Sequence, residues 1–74
     1  MPSELRERMT INCPVGTSGA VFRTALDVGR RFATEHIDRK PSDMVVYAQG
    51  STRYVAWWTK ARAVSVRVEV PDVV

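Results

Sequence analysis

The chain has 74 residues, 45% of them hydrophobic and 26% charged, with a net charge of +3. This mix excludes a disordered or fibrous chain, and the length excludes two domains. A single cysteine excludes an internal disulfide, and no apolar run approaches the roughly 18 residues that a membrane helix needs.

The expectation is a single small α+β domain over residues 1–74, with an ordered core at about 7–70 and the order β-α-β-β-β. A chain this short buries only about 60% of its unfolded surface, so its core is thin. At the start, Leu5, Met9, Ile11 and Cys13 share one parity, and Arg6, Arg8, Thr10 and Asn12 the other. This alternation predicts a strand over about residues 7–13. Pro14 and Gly16 end it.

Thr17 or Ser18 then offers a hydroxyl to the first turn of a helix. From Ala20 to Ile37 the period is helical. Val21, Phe22, Ala25, Leu26, Val28, Gly29, Phe32, Ala33, His36 and Ile37 fill one arc. The charged residues fill the opposite arc, with Arg23, Asp27, Arg31 and Glu35 at ion-pair spacing. Gly29 in the apolar arc costs about 1 kcal/mol of helix propensity, which suggests close approach of the helix to a sheet. Lys40 and Pro41 mark the exit.

Three strand-like runs follow: Met44–Gln49, Thr52–Thr59 and Ala63–Val70, the last ended by Pro71. Gly50-Ser51 reads as a two-residue hairpin turn, and Lys60-Ala61 as a second, less marked one. The three runs form an antiparallel meander that the first strand joins. The helix has one apolar arc and so covers one face of the sheet.

Turn lengths set the register, and register sets the faces. With two-residue turns, Tyr47 pairs with Tyr54, Trp57 with Val64 and Tyr54 with Arg67. The face toward the helix is then Met44, Val46, Ala48, Val55, Trp57, Val64, Val66 and Val68. The bare face holds Tyr47, Tyr54, Trp58 and Arg67, with Arg53, Lys60 and Arg62 as a charged rim. Aromatic rings interleaved with arginine suit a partner-binding surface. No acid lies between Met44 and Val68, so the positive field sits on the C-terminal half.

Catalysis is poorly supported, and no metal or cofactor is expected. His36 falls in the apolar arc, and Cys13 on the apolar side of a strand, without an orienting third group. Val15–Gly19 precedes a helix but lacks the Lys-Ser/Thr pair of a phosphate-binding loop. The opening MPSELRER lacks the apolar stretch of a signal peptide, which points to the cytoplasm. The functional expectation is a non-catalytic protein-binding module, an inhibitor or adaptor occluding a surface of a larger partner, a nucleic-acid-handling one included. One concrete version is a phage-encoded inhibitor of the anti-CRISPR type, resting on size and charge and not on a motif. The alternative is RNA or single-stranded DNA binding through the aromatic, basic sheet face. A homodimer through the last strand is a further expectation, if that strand lies at a sheet edge.

Overall fold

A computed structural model describes residues 8–71. Its elements run β1 (Met9–Asn12), α1 (Gly19–Glu35), β2 (Val45–Gln49), β3 (Thr52–Trp58) and β4 (Val64–Glu69). This is the expected order in a small α+β fold. The start of the first strand at residue 7 and the tail beyond Pro71 lie outside the described residues.

The sheet has the order β1-β4-β3-β2. β2, β3 and β4 form the antiparallel meander, and β1 adds to β4 in parallel. β4 is therefore an interior strand, which corrects the expectation of a last strand at the edge. Among the described residues the edges are β1 and β2.

Local chemistry sets the helix ends. Gly16 takes φ 87°, and Thr17 closes the loop by donating its backbone N–H and its hydroxyl to the Pro14 carbonyl at 3.2 and 2.6 Å. Ser18 is the N-cap, its Oγ accepting from the Val21 N–H at 3.2 Å. At the other end the His36 N–H donates to the Phe32 carbonyl at 2.9 Å. Ala25, Val28, Gly29, Phe32 and Ala33 are the buried stripe, while Phe22 at its margin is exposed, as is Ile37, which the sequence placed in the helix and which lies beyond its end at Glu35. Gly29 does allow close approach. A Cβ there would collide with the Met9 Sδ and lie 3.3 Å from Val66 Cγ2.

The two hairpins differ in loop length. Gly50, at φ 61°, leads a two-residue turn of the kind that takes glycine first, and Gln49 pairs with Thr52 as expected. The second loop has three residues, Lys60–Arg62. Thr59 and Ala63 close it, with a Thr59 N–H to Ala63 carbonyl bond of 2.8 Å, and Arg62 takes the left-handed conformation at φ 61°. The extra residue moves β4 by one position, so that Trp58 pairs with Val64, Trp57 with Ser65 and Tyr54 with Val68. Because side chains alternate, that single step exchanges the faces of β2 and β3 relative to β4.

The core therefore differs from the expected one. Tyr54, Ala56 and Trp58 lie with Val64, Val66 and Val68 under α1, against Ala25, Val28, Phe32 and Ala33. Met9, Ile11, Cys13, Val45 and Tyr47 pack around them. Val64, Val66 and Val68 are on the core side as expected. Met44 and Val46, expected in the core, are half exposed instead. Val55 is buried, but on the far side of the sheet from α1, between its cross-strand neighbours Val46 and Arg67.

Candidate functional site

α1 packs over β4, β3 and β1 and leaves the opposite sheet face bare. The observed registers build that face in rows. Asn12, Arg67, Val55 and Val46 form one, Thr10, Ser65 and Trp57 a second, and Glu69, Arg53 and Ala48 a third. Trp57 is half buried at the centre, with the Arg67 guanidinium 5.7 Å from its ring centroid. Glu69 lies between two arginines, 3.0 Å from Arg67 Nε and 3.5 Å from an Arg53 guanidinium nitrogen. One carboxylate against two guanidiniums leaves the face with excess positive charge, and the two arginine side chains are 61% (Arg53) and 46% (Arg67) exposed.

The seven residues expected at the site divide into three groups. Arg67 and Arg53 stand on the bare face, and Lys60 is exposed in the β3–β4 turn. Tyr47, Tyr54 and Trp58 point to the helix side. Tyr54 is 3% and Trp58 6% exposed, so the expected row of bare rings does not exist. The Trp58 indole N–H donates to the His36 carbonyl at 2.8 Å, and its ring lies 5.6 Å from Phe32.

Arg62 is exposed, as a rim charge would be, but its guanidinium is engaged within the chain. Its guanidinium donates to the carbonyls of Ile37 at 2.6 Å and Arg39 at 3.0 Å, and sits 4.3 Å from the Trp58 ring centroid. It ties the β3–β4 turn to the end of the helix. Sequence reasoning missed Trp57, Val46 and Val55 as face residues. The signal that could have found them is the three-residue loop, which an arginine in a left-handed conformation conceals.

Beside α1 the other face of β2 is also incompletely covered. A groove of about 500 Å³ runs there, lined by Thr24, Asp27, Val28 and Arg31 of α1 and by Tyr47, Ala48, Gln49 and Tyr54. The Tyr47 hydroxyl is shut off from solvent and finds no partner among the described residues. Burial, then Glu35, raises its pKa above the ordinary 10.0, against the opposite pull of Arg31 and Arg39.

His36 stacks on Phe32, and its Nδ1 accepts from Arg39 Nε at 3.4 Å. Among the described residues no three His, Cys, Asp or Glu side chains come together to hold a metal. On the outer face of α1, Arg31 pairs with Glu35 at 3.2 Å and Arg30 with Asp27 at 3.8 Å, so its charges largely serve each other. No helix among the described residues is long and apolar enough to cross a membrane. No family model matches the chain, and neither the curated proteins nor the solved structures contain a match.

Proposed function

We propose that the chain is a non-catalytic protein-binding module, an inhibitor or adaptor that covers a surface of a larger partner in the cytoplasm. One observation carries this reading. Trp57, Val46, Arg67 and Arg53 stand together on the sheet face that the only described helix leaves bare. Trp and Arg are the side chains that most often dominate interface energetics. The positive excess favours an acidic partner surface, whose carboxylates can compete with Glu69 for the two arginine forks.

The nucleic-acid alternative is weakened by the same geometry. A stacking platform needs successive open rings. Tyr47, Tyr54 and Trp58 face the helix, and Arg67 already lies against Trp57.

The test places a photo-crosslinking residue at Asn12 or Ala48 on the bare face, and at Thr34 on the outer face of α1. Crosslinking in nuclease-treated extract is expected from the first two positions and not from Thr34. Trp57→Ala with Arg67→Ala is expected to weaken capture by about tenfold or more while the circular dichroism spectrum is kept. Capture that disappears with nuclease, or that the double variant leaves unchanged, overturns the proposal.

A further inference from the structure

The two sheet edges are built differently. β1 is four residues long, bounded by Arg8 and Pro14, and carries Thr10 and Asn12 on the bare face. A short polar strand next to proline is a protected edge. β2 is only one residue longer, but its bare-face side chains are Val46 and Ala48 where β1 has Thr10 and Asn12. From Met44 through Thr52 there is no charge and no proline, and Met44 and Val46 are half exposed. The outer side of β2 pairs with no strand among the described residues.

The hairpin shows which backbone groups are open. A two-residue turn closes on a hydrogen-bonded pair, here Gln49 and Thr52, and such pairs alternate along the strand. Val45, Tyr47 and Gln49 thus spend their N–H and C=O groups on β3. Val46 and Ala48 turn theirs outward.

We infer that β2 takes a second copy of this chain, pairing antiparallel with the partner's β2 about a two-fold axis through Val46. This goes beyond the bare-face reading and does not rest on it. In that register Val46 exchanges both backbone hydrogen bonds with its symmetry mate, and Met44 lies opposite Ala48. On the helix side Val45 lies opposite Tyr47, twice over. The five central cross-strand pairs are apolar, Gln49 falling opposite Asp43 only at the two ends, and the aromatic with β-branched pairing is a favourable one. The strand is therefore complementary to itself, which an isologous contact requires. It also carries no charge, so two basic molecules can meet here without placing arginine against arginine. β4 cannot serve this role because β1 and β3 occupy both of its sides. The product is a continuous eight-stranded sheet.

Light scattering after size exclusion across a dilution series tests this. The mass is expected to rise toward twice the 8.3 kDa of one chain as concentration increases. Val46→Lys, which puts two charges on the axis, should abolish the heavier species. Ala48→Pro should do the same, since it removes an outward N–H without touching the β2–β3 ladder. Thr10→Lys on β1 should leave the species intact. Hydrogen exchange on the unmodified chain gives a reading that needs no variant: the Val46 and Ala48 amides should slow as concentration rises. A single-chain mass with rapid exchange at those amides at the highest concentration overturns the inference. So does a dimer that survives both β2 variants, or one that only Thr10→Lys removes.

Discussion

Tyr47 holds a phenol whose hydroxyl is enclosed without a described partner, next to the groove beside α1. An enclosed, unpaired hydroxyl costs free energy that a phenylalanine does not. Tyr47→Phe is therefore expected to match or exceed the parent at neutral pH, by up to about 1 kcal/mol. The pH dependence follows from the raised pKa. With the folded value above the unfolded one, the stabilising share is complete below about pH 10 and is lost as pH climbs through the folded value. Phenylalanine should remove that part of the alkaline decline. Urea denaturation at neutral pH and above the tyrosine range checks both points. A loss of more than about 1 kcal/mol at neutral pH would show that the hydroxyl is satisfied after all. Arg62 shows the opposite economy. An exposed arginine is also held by two carbonyls and an indole, and a lysine lacks the planar fork to replace it.

At the scale of elements, the contact of α1 with β1 turns on Gly29. Alanine there gains about 1 kcal/mol of helix propensity. Its Cβ, however, meets Met9 Sδ and Cε and approaches Val66. The end of Met9 is flexible, so Gly29→Ala alone should change stability by less than about 1 kcal/mol. In a Met9→Ala background the same substitution should stabilise by up to about 1 kcal/mol, since the nearer obstacle is gone and only Val66 Cγ2 at 3.3 Å remains. A double-mutant cycle by chemical denaturation measures the coupling, and a coupling of zero would contradict the close packing. The helix, its serine cap and the first hairpin were legible because each has an explicit marker: a clean arc, a hydroxyl before it, and a glycine at the turn. The second hairpin was not. Arg62 occupies the left-handed position where glycine or asparagine would announce a three-residue loop. β3 gives no correction, because Tyr54, Ala56 and Trp58 on one parity look as core-like as Val55 and Trp57 on the other. Nor does any local pattern reveal that β1 runs parallel to β4, a pairing between opposite ends of the chain.

For the molecule as a whole, one thin layer of side chains between α1 and the sheet carries the stability. Trp58 spans it, touching Phe32, Arg62 and the His36 carbonyl. Trp58→Ala is expected to cost about 3–5 kcal/mol, most of what a chain of this size holds, and to leave it largely unfolded. Trp57→Ala, on the bare face, should cost about 1–2 kcal/mol and leave a folded protein. Thermal unfolding of the two variants separates them, and the reverse ranking would return the sheet to the register expected from two-residue turns. The candidate site was legible to the same extent as the register. Arg67 stands on the bare face where reasoning from sequence put it. Arg53, expected on the helix-side parity with its head in water, was carried onto that face by the same one-residue step that carried the three rings off it.

Trp57 and Trp58 are adjacent in the chain yet stand on opposite sides of β3. One indole is sealed and bonded to a carbonyl; the other is half open beneath a guanidinium. The protein thus contains two tryptophan fluorophores tied to separate events. Emission from the enclosed ring follows the integrity of the interior, and emission from the open ring follows occupancy of the surface above it. Replacing either with phenylalanine isolates the other signal, so that unfolding and association can be recorded on unlabelled samples.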